Sequence, residues 1–392
     1  MELNIKNKLI NYLLTNRCTL LGIGPMSVNC VDATIELANE YKIPLMLIAS
    51  RRQIDSEQFN GGYVNNWTTS EFSKYVKEKD KTGSIFLARD HGGPWQNNLE
   101  VKQKLDLKSA MQSAKESYKS DINSDFQILH LDPSIDIHDN PSQDELLERL
   151  FELYEYCWNY AQKNNKNVIF EIGTEEQSGS TNSQEELDYT LSAVKDFCNK
   201  NKFPLPTFVV IQTGTRVMET RNVGSFDSPL RVLDEIPSEI QVPKMIEICN
   251  KHNVFMKQHN TDYLSDMALA WHPRLGIHAA NVAPEFGVSE SRALINIMDN
   301  NNLTKCSKKF LELAYSSNKW HKWMLPNTKA TDQEKAIIAG HYIFSTSEFI
   351  ELKSEVLHNL KMKSIDLNQY LRAEVKKSIF RYLKEFRLVR NL

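Results

Sequence analysis

SIFLARDHGGPWQ, residues 84–96, opens with a run of apolar residues and then turns abruptly polar. Such a segment predicts a strand buried on both faces, ending in a tight glycine turn that exposes charged side chains. Outward from it the pattern recurs: TLLGIGPMS (19–27), PLMLIAS (44–50), FQILHLDPS (126–134), NVIFEIGT (167–174), FVVIQTGT (208–215), VFMKQHN (254–260) and GIHAANVAP (276–284). Between the runs lie stretches with helical spacing of apolar residues, notably 31–41, 143–164, 183–201 and 240–252. Thr68-Thr69-Ser70-Glu71 and Ser142-Gln143-Asp144-Glu145 read as helix starts of the capping-box type.

Strands alternating with helices imply a parallel sheet, and eight such units imply closure into a (β/α)8 TIM barrel over residues 1–300. An open doubly wound sheet is the competing architecture. Gly22-Ile23-Gly24-Pro25-Met26 is a poor match to the phosphate-binding fingerprint that such a sheet would carry. Residues 301–392 break the alternation; their amphipathic stretches at 305–315, 333–343, 347–361 and 366–388 read as a helical C-terminal extension packed on the barrel or on a neighbouring subunit.

The chain has 392 residues, a net charge of -3, 41% hydrophobic and 25% charged residues, which predicts neither a nucleic-acid nor a membrane partner. The amino-terminal MELNIKNKLINYLL lacks the apolar core of a signal peptide, and the six cysteines form no CxxC pair; both point to a reducing, cytoplasmic setting.

In a barrel, polar residues at the carboxyl ends of the strands face the site. The runs deliver Ser27 and Asn29; Ser50, Arg51, Arg52 and Gln53; Asp90 and His91; His130, Asp132 and Ser134; Glu171, Glu175 and Glu176; Gln212, Thr213 and Arg216; Lys257, His259 and Asp262; then His278, Asn281 and Glu285. Carboxylates and histidines from several strands form an oxygen and nitrogen ligand set for zinc, manganese or a similar divalent ion. Each candidate has a structural alternative. Asp90-His91 can cap a helix, Asp132 can pair with Arg89, Glu171 can pair with Lys257, and His259 can belong to a polar turn. His130 and His278 read as hydrogen-bonded neighbours rather than ligands, His272 as a loop residue, and Trp67 and Trp95 as packing groups. Arg51 and Arg52 suit an anionic substrate group.

SRRQIDSEQFNGGY (50–63), DHGGPWQ (90–96), EIGTE (171–175), HNTDY (259–263), GIHAANVAPEFG (276–287) and SNKWHKWM (316–323), taken in order, resemble the Z-type subunit of class II tagatose-bisphosphate aldolases. The resemblance implies a metal-dependent aldolase or epimerase that acts on a sugar or sugar phosphate through an enediolate. It implies Asp90 as acid/base; the chemistry leaves a glutamate of the strand-five loop, Glu175 or Glu176, as the other proton-transfer candidate. The resemblance makes His91 and His259 metal ligands, with Asp132 and Glu171 as further metal carboxylates, and places Asn281 on the ketose. Ser27, Ser50, Arg51, Arg52, Gln212 and Asp262 complete the expected substrate contacts. The catalytic relatives carry a further histidine ligand on the sixth strand, where this chain has Gln212-Thr213-Gly214-Thr215-Arg216. The alternative is therefore a non-catalytic subunit that stabilises a catalytic aldolase partner; homo-oligomers are the other expected assembly.

Overall fold

A computed structural model describes residues 5–173, 183–228 and 236–390. Eight parallel strands close into a barrel: β1 (Leu20–Ile23), β2 (Leu45–Ser50), β3 (Ile85–Gly92), β4 (Ile128–Leu131), β5 (Ile169–Ile172), β6 (Phe208–Val210), β9 (Phe255–Gln258) and β10 (Ala279–Val282). The intervening β7 (Val217–Met218) and β8 (Arg221–Asn222) form a small antiparallel hairpin outside the barrel. Each strand pairs with its neighbour in sequence, and β1 closes against β10 with Leu20 opposite Ala279 and Ile23 opposite Val282.

All eight apolar runs became barrel strands because strands covered inside and out must be apolar throughout. Every residue of β1, β4, β5 and β10 is buried. The observed strands are shorter than the runs. β6 ends at Val210, well before Thr215, since the chain turns out of the sheet toward Gly214 at φ +78°. The helix Asp266–Leu275 follows β9, so His272 is a buried helical residue and not part of a loop; its Nδ1 lies 3.0 Å from the Ala268 carbonyl oxygen.

Helix starts follow the capping rules. Thr68 with Glu71 and Ser142 with Glu145 both form complete capping boxes, as do Ser183 with Glu186 and Thr331 with Glu334. The helices beyond residue 300 assemble a second core around Leu294, Met298, Phe310, Phe349, Leu360 and Leu371. The final helix, Leu367–Glu385, starts in that core and ends in the barrel's, where Val375, Ile379, Tyr382 and Phe386 are buried. Phe386 accepts a backbone hydrogen bond from Thr19, at 3.0 Å, immediately before β1. The last helix thus straps the seam where the first and last barrel strands meet.

Arg89 is completely buried behind β3. It grips Asp121 with two nitrogens, at 2.6 and 2.8 Å, and donates to the carbonyls of Ala49 and Ile54. Its partner is therefore Asp121 and not Asp132. Removing one member of such a pair leaves an uncompensated buried charge. The Asp121→Ala variant is expected to lose about 3–5 kcal/mol of stability in urea denaturation. Lys74→Ala, on an exposed pair at 4.0 Å, should stay within about 0.5 kcal/mol of the parent.

Candidate active site

Successive residues of a regular strand point to opposite faces, so Asp90 and His91 should not share one site. The end of β3 solves this locally. The register against β4 shifts between Arg89 and Gly92, and His91 adopts a left-handed backbone at φ +45°. A bulge of this kind re-aims a side chain. The turn is locked from behind, because Tyr118 donates to the Gly92 and His130 carbonyls and Asp132 donates its amide to the Gly92 carbonyl at 2.8 Å. A side chain on Gly93 would run into the Asp132 carbonyl oxygen.

The result is a compact cluster at the carboxyl end of the barrel. One ligand atom each from Asp90, His130, Glu171 and His259 lies within 4.8 Å of all the others, and His91, His130 and His259 meet the same limit. His259 Nε2 is 3.1 Å from Glu171 Oε1 and 3.8 Å from Asp90 Oδ1; His130 Nδ1 is 3.7 Å from the same glutamate oxygen and 3.9 Å from Asp90 Oδ1. The other Glu171 oxygen, Oε2, accepts from the buried Lys257 ammonium at 2.5 Å. Glu171 therefore does both things its position allowed. It pairs with Lys257 through one oxygen and faces the histidines with the other. Asn281 reaches over from β10 with Nδ2 at 3.1 Å from Asp90 Oδ1 and 3.0 Å from His259 Nε2. Gly22 on β1 leaves the room for it, since a Cβ there would overlap the Asn281 amide.

Electrostatics divides the histidines. Burial opposes charge on His91, but Asp90 and the 2.6 Å hydrogen bond to Asp132 outweigh it and lift its pKa to about 9. Burial likewise resists the Asp132 anion, yet the His91 bond wins and holds that carboxyl well below the usual range. His130 and His259 go the other way. Burial pushes each down to about 3, so both rings are neutral with a lone pair to offer.

The donor set fits a divalent ion. Around a tetrahedral zinc with bonds of about 2.0–2.1 Å, ligand atoms stand roughly 3.3 Å apart, and the cluster's closest separations run from 3.1 to 3.9 Å. Two carboxylates, Asp90 and Glu171, stand in the cluster against the single Lys257 ammonium, which also favours a cation at this point.

Several sequence expectations are corrected. His130, read as a hydrogen-bonded neighbour, stands inside the cluster, on β4. Asp132 does not join the four donors. Its Oδ2 holds His91 and the Gln96 amide, and its Oδ1 holds Ser134. Arg51 turns inward, fully buried between Asp55 at 3.0 Å and Glu100 at 2.6 Å, because three polar groups behind the strand satisfy its fork better than the open mouth. Ser27 caps the helix Val28–Tyr41 and donates to Glu290. Asp262 accepts the amides of Ala283 and Glu285 at 3.0 and 2.9 Å, capping the helix Pro284–Asn300, and burial beside Glu285 raises its pKa to about 8. These three are structural groups. Ser50 ends β2 in register with Asp90, Arg52 is half-buried beside Tyr63 and Tyr342, and Gln212 is buried just past β6. Glu175 lies outside the described residues. His278 accepts the Met256 amide, and Trp67 and Trp95 pack in the interior.

Barrel and cluster together define a (β/α)8 protein whose fold is shared with sugar-processing aldolases and epimerases. A probable tagatose 6 phosphate kinase from Sinorhizobium meliloti 1021 superimposes with a TM-score of 0.74 at 15% identity, covering 93% of this chain and 99% of that one. The fructuronate-tagaturonate epimerase UxaE from Cohnella laeviribosi, complexed with one glycerol, gives 0.59 at 12% identity over 96% of this chain and 86% of its own. The fructose-bisphosphate aldolase Fba from Campylobacter jejuni gives 0.50 at 13% identity over 91% and 93%. Residues 15–202 match the family model described as D-tagatose-1,6-bisphosphate aldolase subunit GatZ/KbaZ-like. Asp90, His91, His130, Asp132 and Glu171 fall within the matched stretch, whereas His259 and Asn281 lie beyond it.

The charge on His91 gives a titration test. In the chelator-treated chain its ring should titrate near pH 9 by NMR. Because that value is raised over the ordinary 6.5, the stability from the charged His91–Asp132 bond is full below about pH 6.5 and fades as pH climbs through 9. Asp132→Asn should return the His91 titration toward neutrality and flatten that slope.

Proposed function

We propose that this protein is a metal-dependent aldolase or epimerase acting on a sugar or sugar phosphate. The observation that carries the reading is the convergence of Asp90, His130, Glu171 and His259 from four different strands at the barrel's carboxyl end. His130, His259 and Glu171 would hold a divalent ion, zinc by the nitrogen-rich donor set, with manganese the other candidate. Bound there, the ion would supply Lewis-acid polarisation of a ketose carbonyl.

The chain's own groups then divide the remaining work. Lys257 fixes Glu171 so that one oxygen always faces the histidines. Asp90 is the least buried carboxylate of the cluster, with 13% of its side chain exposed, and its Oδ2 lies 3.9 Å from His91 Nε2. We assign it the proton transfer next to the carbonyl. Asn281 orients Asp90 and presents its amide to the substrate hydroxyls. His91, held by Asp132, is the further histidine at the rim and joins the ligands once it loses its proton. Ser50 and Gln212 contact the substrate from the ends of β2 and β6, and Arg52 is the arginine placed for an anionic end. The six free, buried cysteines suit a reducing cytoplasm, and among the described residues no helix is long and apolar enough to cross a membrane.

The matched family is described as an aldolase subunit, which favours a second reading. In it the barrel, alone or as a homo-oligomer, does no chemistry and stabilises a catalytic aldolase partner.

The two readings separate in one set of measurements on the purified full chain. The enzyme reading expects about one equivalent of zinc or manganese and turnover of a phosphorylated ketose or sugar acid by the chain alone. Asp90→Asn should lower kcat by about 10²–10⁴-fold while the bound metal is retained. His130→Ala should lose metal and activity together. A chain that holds no metal, turns over no sugar and only raises a partner's activity would establish the subunit reading instead.

A further inference from the structure

A second cavity, of about 190 Å³, lies between the start of the helix Val28–Tyr41 and the helices beyond residue 300. None of Asp90, His130, Glu171, His259 or Asn281 lines it. Its walls include Ser27, Asn29, Glu290, His341 and Lys353, set among the rings of Tyr63 and Phe349.

Two of these side chains have polar atoms without a use in the fold. His341 is 1% exposed, and neither ring nitrogen has a hydrogen-bond partner among the described residues. A buried imidazole normally finds at least one partner. The fold nevertheless makes room for it, because Gly287 lies directly beneath and a Cβ there would stand 2.7 Å from His341 Cγ. Lys353, half-buried on the helix Ser347–Lys361, makes no hydrogen bond or ion pair among the described residues; burial lowers its pKa, and the charge of Glu290 only partly offsets this. Glu290 is held in place by the Asn29 amide at 2.7 Å and by the Ser27 hydroxyl. Each of its oxygens keeps a further lone pair for a ligand hydroxyl.

The walls therefore offer one ammonium, one imidazole that can donate and accept, a clamped carboxylate and aromatic faces. A phosphate dianion would meet Glu290 with only one lysine against it. A carboxylate brings a single negative charge against that lysine, and burial, by raising the Glu290 pKa, lessens the charge it meets; hydroxyls suit the histidine and glutamate. A volume of this size equals roughly six water molecules at about 30 Å³ each, enough for a short chain. We propose that this cavity is a second ligand site, which takes a small hydroxy acid with its carboxylate on Lys353 and its hydroxyls on His341 and Glu290. The occupant bridges the barrel and the C-terminal helices, and the site is independent of the chemistry at the barrel mouth.

The test is thermal unfolding of the full chain with glycerate, threonate and gluconate, and with glycerol as the probe lacking a carboxylate. At saturation at least one of the three acids is expected to raise Tm by about 2 °C or more, and glycerol by less than a quarter of that. Lys353→Met should abolish the acid's shift, and so should Ile350→Trp, which fills the half-exposed rim without touching a polar group. Asp90→Asn should leave the shift intact. No shift with any acid, an equal shift with glycerol, a shift that survives in either cavity variant, or one lost in Asp90→Asn would each overturn the proposal.

Discussion

A carboxylate buried on a barrel axis must be shared among partners or it destabilises the fold by several kcal/mol. Glu171 is that carboxylate. Lys257, two strands away, neutralises one of its oxygens at 2.5 Å, and the other is left facing His259 and His130. The arrangement is asymmetric, and the asymmetry makes a site. The lysine satisfies the charge without blocking the mouth, so two neutral imidazoles can sit beside a fixed acceptor, His130 Nδ1 taking the His91 amide at 3.2 Å and His259 Nε2 facing the Asn281 amide at 3.0 Å. Asp90 and Asn281 close the ring from β3 and β10.

Much of this was legible in the sequence, for a physical reason. Strands buried on both faces have no polar positions to blur them, so all eight runs stood out, and the carboxyl-end residues followed from barrel geometry. Asp90, Glu171, His259 and Asn281, read as facing one mouth, come together there in the structure. Other groups were misread because a one-dimensional list gives no direction. Arg51 follows a strand just as Asp90 ends one, yet Asp55 and Glu100 draw it into the interior. Ser27 and Asp262 are short polar residues just ahead of helix starts, and their oxygens go to backbone amides and to Glu290. His130, two residues before Asp132, reads in the sequence as a hydrogen-bonded neighbour rather than a ligand. That spacing does place both on the same side of β4, and it was the signal to follow. The bulge after Arg89, which lets Asp90 and His91 share the mouth, shows in the sequence only as the Gly92-Gly93-Pro94 turn.

The helices after residue 300 do more than cover the barrel. They form a second core, and through the last helix they return to the β1–β10 seam, where Thr19 binds Phe386 and Tyr382 reaches Glu285. Glu285 lies next to the helix start that Asp262 caps, immediately beyond β10. The same region thus tensions the seam, supports the strand that delivers Asn281 and walls the second cavity. Its amphipathic pattern was readable, but which face met the barrel was not, since both cores draw on one continuous apolar stripe.

The account turns on whether His130 of β4, Glu171 of β5 and His259 just after β9 bind one ion. Anomalous diffraction at the zinc edge from crystals of the zinc-loaded chain measures this directly. The expected result is a single strong peak with His130 and His259 nitrogens and a Glu171 oxygen at about 2.0–2.2 Å. A map with no peak at the barrel mouth, or with zinc held there without His130 and His259, would contradict it.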